Sequence, residues 1–343
     1  MHLILDVFKN HSHLNFDFYA FSLVEHEKDD WNKDLNQYFK KIINIQNLTD
    51  QEVANLAREM KIDIAIDLKG FTQDSRPKIF LNRCAPIQIN FLGYPGTMGS
   101  KHFDYIIADR IVIPENQKKN YAEDIIYMKD CYQPNLNHIK VSEKKFKKED
   151  FGLPENKFIF CSFNSNYKIT PDIFNCWLEI LKNTKNTVLW LLNDNQKVKE
   201  NLSKFIKIAG VEKERIIFAK QMQTDEHLRR ISLADLFLDT YPYGAHTTAS
   251  DSIRMGLPVI TIEGESFSSR VASSILHQVN LDDLVTKNIN QYKDLAINIA
   301  NSNNNYKSIK KKLMNSIKIT PLFDSYKFTK NLESIYNKLV IDL

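Results

Sequence analysis

Short apolar runs alternate with helix-period segments throughout residues 158–263, and this alternation constrains the fold more than any other feature of the chain. Residues 158–163, 187–192, 216–219, 236–238 and 259–262 read as buried strands. Between them lie amphipathic helices. One is capped by Thr170 with Pro171 at its first position, and Ile173, Phe174, Trp177, Ile180 and Leu181 share its face. A second carries Val198, Leu202, Phe205 and Ala209 and stops at Gly210. Thr224 opens a third, with His227, Leu228, Ile231 and Ala234. Thr247 and Thr248 are expected to cap a fourth, which runs through Asp251, Ile253 and Met255 to Gly256 and Pro258. Regular strand–helix alternation predicts a parallel, doubly wound α/β sheet, whose ligands sit at the carboxyl ends of the strands.

The loop at 241–246 therefore leaves a strand end and feeds a helix N-terminus. Unpaired N–H groups and the helix dipole make such a place attractive to anions. His246, Thr247 and Thr248 crowd it, which suits the seat of a diphosphate. An ordinary capped helix whose histidine packs on a neighbour has the same pattern, and no glycine-rich phosphate signature separates the two. Lys168, in FNSNYKIT, falls at the same end of the sheet, and His227 and Arg230 lie one turn apart on a third helix. A cation and a helix N-terminus aimed at one point would stabilise a departing diphosphate. No nucleophile stands beside a base, and there is no Walker loop.

The first half is less regular. Residues 1–10 read as a short helix, 16–23 as a strand, 31–41 as a helix and 42–45 as a strand. Thr49 and Glu52 have capping-box spacing ahead of Val53, Leu56 and Met60. Strands follow at 62–68, 87–92 and 105–108, and the second of these runs into GYPGT at 93–97, a tight loop of structural or functional use. A doubly wound domain usually opens with a strand and this one opens with a helix, so a first strand is expected to be missing. Further helices are expected near 268–279, 291–300, 306–316 and 324–339, with a loop at the Asn-rich stretch 301–305. The boundary falls at about residues 135–156, and the basic cluster at 144–148 within it reads as a solvated linker face. This gives a first lobe at 1–140, a linker at 141–156, a second lobe at 157–322 and a last helix at 323–343.

The bulk numbers exclude several classes. The 46 basic and 42 acidic residues leave a net charge of +4, too mild for a nucleic-acid binder. Cys84, Cys131, Cys161 and Cys176 have no metal-ligand spacing and suit reduced thiols, hence a cytoplasmic location. No run has the roughly 20 apolar residues of a membrane span, so no membrane partner is expected.

DLKGFTQDSRP at 67–77, APIQINFLGYPGTMG at 85–99, FDYIIADR at 103–110, FNSNYKITP at 163–171, TVLWLL at 187–192, EHLRRISLADLFLDT at 226–240, HTTASD at 246–251 and SRVASSIL at 269–276 together resemble the catalytic region of the O-GlcNAc transferases, glycosyltransferase family 41. The resemblance implies a GT-B fold, two Rossmann-like domains facing a cleft. It also implies an inverting, metal-independent transfer of a sugar from a uridine-diphosphate donor to a protein side chain. Lys168 resembles the lysine that helps the nucleotide leave, with His246 beside it as a second catalytic residue. His246, Thr247 and Thr248 resemble the phosphate-binding turn, and Asp251 the acidic residue near the ribose. Asn164, Ser165, His227 and Arg230 complete the nucleotide-sugar pocket, and Gly93, Tyr94, Pro95, Gly96 and Thr97 match a loop at the cleft. The last helix is expected to cross back to the first lobe.

The implied donor is UDP-GlcNAc and the implied acceptor a protein Ser or Thr, with no cofactor and no metal. GDP-fucose or UDP-glucose as donor, or a non-catalytic nucleotide-sugar-binding module, are the alternatives. The family's His-Pro motif has no counterpart here, since His2 is not followed by proline; Ser165 stands where a longer amide is common, and Thr224 where some members have lysine.

Overall fold

The computed structural model describes residues 2–23, 35–193 and 195–341. The chain forms two compact units, Met1–Asn137 with Pro321–Leu343, and His138–Thr320. The division falls at 137/138, so the basic cluster at 144–148 belongs to the second unit.

In the first unit, helix α1 (Leu5–Asn10) precedes strands β1 (Tyr19–Ser22) and β2 (Lys41–Asn44), which pair in parallel with Tyr19 opposite Lys41. The helix expected over 31–41 lies partly outside the described residues. Its described part is a 3-10 turn at Leu35–Tyr38, and Lys41 already belongs to β2. Helix α2 (Asp50–Glu59) starts on the expected capping box, with Thr49 and Glu52 each bonded to the other's backbone N–H. Strands β3 (Ile64–Asp67), β4 (Ile87–Asn90), β5 (Tyr105–Ala108) and β6 (Asp124–Tyr127) form a parallel sheet in that order, with the short helix α3 (Lys78–Leu81) between β3 and β4. Neither α3 nor β6 has a counterpart in the sequence analysis: elements of four residues carry too little pattern.

The second unit contains β7 (Phe158–Ser162), α4 (Pro171–Lys182), β8 (Thr187–Leu192), α5 (Gln196–Ala209), β9 (Ile216–Ala219), α6 (Thr224–Ile231), β10 (Leu236–Leu238), α7 (Thr247–Arg254), β11 (Val259–Ile262), α8 (Val271–Gln278), β12 (Val285–Thr286), α9 (Ile289–Asn301) and α10 (Asn303–Ser316). Its parallel six-stranded sheet has the order β12-β11-β10-β7-β8-β9. Strands β10 and β11 are buried along their whole length, and Trp177, Trp190, Phe160 and Phe237 fill the core. The Asn-rich stretch is not a loop. Helix α9 runs to Asn301 and α10 starts at Asn303, with Ser302 alone between them as N-cap, its hydroxyl accepting from Asn305 N–H.

The chain then returns to the first unit as α11 (Ser325–Ile341). Asn10 donates to Ser325 Oγ at 2.9 Å, and Ser12 N–H donates to Glu333 Oε1 at 2.6 Å, which holds α11 against α1.

Candidate functional site

Strand order locates the site in the second unit. The chain starts at β7 in mid-sheet, builds outward through β8 and β9, then crosses back to β10 on the other side of β7. The connections leaving β7 and β10 diverge to opposite sides, which opens a crevice at their carboxyl ends. The segments after these two strands, 163–170 and 239–246, hold Asn164, Ser165, Lys168 and His246 of the expected site residues.

Lys168 ends a 3-10 turn, Asn166–Lys168, that follows β7. Its ammonium donates to Gly244 O at 2.8 Å and lies 3.9 Å from the centre of the Tyr243 ring. The side chain is half-buried, and burial lowers its pKa, against the opposing pull of Asp239. One ammonium proton is committed to Gly244 and two remain for a ligand.

His246 is the N-cap position of α7, with no capping bond from its side chain. Thr247 and Thr248 are thus the first two helical residues, not caps as the sequence reading had them. Their N–H groups are among those a helix leaves without intrahelical partners. His246 Nε2 sits 3.1 Å from the Ser268 carbonyl. A carbonyl only accepts, so Nε2 carries the proton and Nδ1 keeps a lone pair. Burial, helped by the nearby Lys168 charge, pushes the imidazole down to about 3. Asp251 is half-buried, one turn along α7 from Thr247 and Thr248.

Arg230 is 1% exposed. Its Nε donates to His227 Nδ1 at 2.9 Å and a terminal nitrogen donates to Lys220 O at 2.6 Å. The guanidinium lies 5.2 Å from the Phe163 ring centre and 5.7 Å from that of Trp190. The second terminal nitrogen has no hydrogen bond among the described residues. His227 accepts at Nδ1, so its proton is on Nε2; burial and the adjacent Arg230 charge lower its pKa to about 4. Such unmet donors beside a crevice suit the carbonyl oxygens of a nucleobase.

Asn164, 2% exposed, donates to Asp239 Oδ1 at 3.0 Å and to Thr240 Oγ1 at 2.8 Å, while its own Oδ1 is buried without a partner. Ser165 is exposed beside it. The sequence reading missed two contributors. Tyr243 lies under the Lys168 ammonium, and Asp239, a fully buried carboxylate, bonds to both ends of the 239–245 loop. Asp239 was visible only as the residue that ends a strand. Its partners Asn164 and Thr261 lie 75 and 22 residues away, beyond any local pattern.

The loop at Gly93, Tyr94, Pro95, Gly96 and Thr97 belongs to the first unit. It is pinned at its C-terminal end, with Asn90 donating to Gly96 O at 2.9 Å and Thr97 bonded to the buried Glu123. A Cβ on Gly93 would fall 2.0 Å from Leu68 O, so only glycine fits where this loop crosses the end of β3.

No group of three His, Cys, Asp or Glu among the described residues could hold a metal ion. No described helix is long and apolar enough to cross a membrane. All four cysteines are free and buried.

The depressed histidines predict a pH dependence. His227 is neutral in the folded state down to about 4 and His246 to about 3, whereas unfolded histidine takes up its proton near 6.5. Between these values the unfolded state binds more protons, so stability falls as pH falls. Thermal unfolding of the wild type is expected to drop from pH 7 to pH 4, and His227→Gln to flatten the drop. An unchanged slope in the variant would mean that His227 titrates normally.

Comparisons with known proteins match the architecture just described. The profile of the family described as Glycosyl transferase family 41 covers residues 1–139 and 134–332. A probable UDP-N-acetylglucosamine–peptide N-acetylglucosaminyltransferase of Arabidopsis thaliana, SEC, is 32% identical over 98% of this chain and 35% of its own length. The tomato (Solanum lycopersicum) relative SPINDLY, which carries the same enzyme description, is 30% identical over 86% of the chain and 32% of its own length. The chain thus spans about a third of the length of the curated relatives it matches. Among solved structures, a mutant O-GlcNAc transferase of Thermobaculum terrenum superposes with a TM-score of 0.89 at 25% identity, over 99% of this chain and 64% of that one. WaaG, a glycosyltransferase of lipopolysaccharide biosynthesis, shares the fold with a TM-score of 0.58 at 12% identity, over 97% and 93%. The two α/β units are those of a GT-B protein, and the chain belongs to glycosyl transferase family 41.

Proposed function

We propose that this chain is the catalytic region of an inverting, metal-independent transferase that moves N-acetylglucosamine from UDP-GlcNAc to protein Ser and Thr hydroxyls. The observation that carries the proposal is the convergence of Lys168, with its uncommitted ammonium protons, on the N-terminus of α7 at the point where the strand order reverses. The names of the relatives supply the donor and the acceptor class.

In this reading the acceptor oxygen attacks the anomeric carbon on the face opposite the diphosphate. A carbon–oxygen bond forms there as the bond to the β-phosphate oxygen breaks, the electron pair leaves with UDP, and the hydroxyl proton passes to solvent or a base. Negative charge grows on the leaving oxygen. The Lys168 ammonium and the amides of Thr247 and Thr248 meet it with fixed positive charge, the role a divalent ion plays elsewhere. His227 and Arg230 face the base, and Asp251 the ribose. His246, neutral at working pH, accepts through Nδ1 from a donor hydroxyl without adding charge.

Incubation with UDP-GlcNAc and an unstructured Ser/Thr-rich protein, followed by intact-mass measurement, tests the proposal. Additions of one N-acetylhexosamine each are expected, at a rate unchanged by EDTA. Loss of transfer in EDTA would remove metal independence, and transfer from GDP-fucose or UDP-glucose in its place would remove the donor assignment. UDP binding without transfer from any donor would favour a nucleotide-sugar-binding module.

A further inference from the structure

The 239–245 segment carries both halves of the anion site. Gly244 O anchors the Lys168 ammonium, and the segment delivers the chain to His246 and the first amides of α7. Its shape is set by one side chain. Asp239 Oδ1 accepts from Thr240 N–H at 2.7 Å, from Ala245 N–H at 2.7 Å and from Asn164 Nδ2 at 3.0 Å. Asp239 Oδ2 accepts from Thr261 Oγ1 of β11 at 2.7 Å. A single oxygen thus clamps the first and last N–H groups of the loop and ties them to the segment after β7, while the other oxygen ties them to the neighbouring strand. Thr240 Oγ1 closes the loop further by donating to Tyr243 O at 2.7 Å.

The backbone of the same residue is held as well, since Tyr292 donates to Asp239 O at 2.9 Å and Trp177 donates to the Tyr292 hydroxyl at 3.2 Å. The packing leaves no slack: a Cβ on Gly244 would stand 3.0 Å from Asp239 Oδ2. Asp239 is 1% exposed and both of its carboxylate oxygens are taken by protein donors, so it acts through the loop rather than on a ligand.

We infer that Asp239 is a positioning residue: its carboxylate staples the 239–245 loop so that the Lys168 ammonium and the first amides of α7 point at one diphosphate. The inference rests on the proposed UDP-sugar site and names the group that shapes it. The staple works through hydrogen bonds, so an amide carbonyl can replace the carboxylate. In Asp239→Asn, Oδ1 still accepts from the three donors and Nδ2 donates to Thr261 Oγ1. Asp239→Ala leaves those donors unpaired and frees the loop.

The test measures UDP and uridine affinity by ligand-observed NMR on the whole chain, for the wild type and both variants. Uridine keeps the base and ribose contacts and lacks the diphosphate. For Asp239→Ala the expected result is a UDP affinity at least tenfold weaker with uridine affinity within twofold of wild type, and Asp239→Asn is expected to restore most of the UDP affinity. Unchanged UDP affinity in Asp239→Ala would overturn the inference, and so would equal loss of both ligands, which marks a role in the fold of the whole unit. If Asp239→Ala does not fold, Gly244→Ala decides: its methyl group displaces the clamp without removing a hydrogen-bonding group. Weaker UDP with unchanged uridine supports the inference there, and unchanged UDP overturns it. Failure of the wild type to bind UDP would instead overturn the proposed site, and the inference with it.

Discussion

Lys168→Ala is expected to lower kcat for sugar transfer by about 100- to 1000-fold, the range seen when one preorganised donor to a developing oxyanion is removed. Folding should barely change. The ammonium makes one hydrogen bond, to Gly244 O, and its burial favours the neutral form, so the folded state already holds the charge at some cost. A stability change within about 1 kcal/mol is expected, because a net hydrogen bond is worth about that much. Circular dichroism melts alongside initial rates separate the two effects. Parallel losses of rate and Tm would make Lys168 a structural residue, and an unchanged rate would remove it from the mechanism.

Arg230 is expected to show the largest effect on stability among the site residues. Its side chain fills the space beside Phe163 and Trp190 and satisfies His227 Nδ1 and Lys220 O. Truncation to alanine opens a cavity and strands both acceptors, a combined cost of about 3 kcal/mol. In a unit of this size that corresponds to a Tm lower by roughly 6–12 °C. Arg230→Met keeps much of the volume and removes a cation whose burial lowers its pKa to about 10. Arg230→Met avoids most of the cavity cost and still strands His227 Nδ1 and Lys220 O. It is therefore expected to melt between wild type and Arg230→Ala while binding UDP at least tenfold more weakly, since His227 loses its tether and the base its donor. If Arg230→Met bound UDP normally, the pair would be a core feature with no part in the site.

The second unit was more legible in the sequence than the first, for physical reasons. Strands at Thr187–Leu192 and Val259–Ile262 stand where their apolar runs stand, because strands buried on both faces leave continuous hydrophobic stretches. Helix starts at Pro171, Asp50 and Thr224 follow local rules that involve four or five residues. Element order in the first unit was also readable apart from the four-residue α3 and β6, and in the second unit the two-residue β12 gave no signal. What stayed hidden was long-range. Lys168 and Gly244 lie 76 residues apart, and their contact follows from the pairing of β7 with β10, which no local pattern announces. The HTTASD segment marked the start of α7 and misplaced its cap, because Thr247 and Thr248 look like caps by residue type while His246 takes the position. Asp239 was hidden because a carboxylate ending a buried strand has no signature until its four donors are assembled around it.

The most direct measurement is calorimetric titration of UDP into the wild type and Lys168→Ala, both in EDTA. Binding to the wild type without metal is expected, weakened roughly 10- to 100-fold in the variant, which is the worth of a hydrogen bond to a charged group. Equal affinity in the two proteins, or UDP binding that requires a divalent ion, would contradict the proposal.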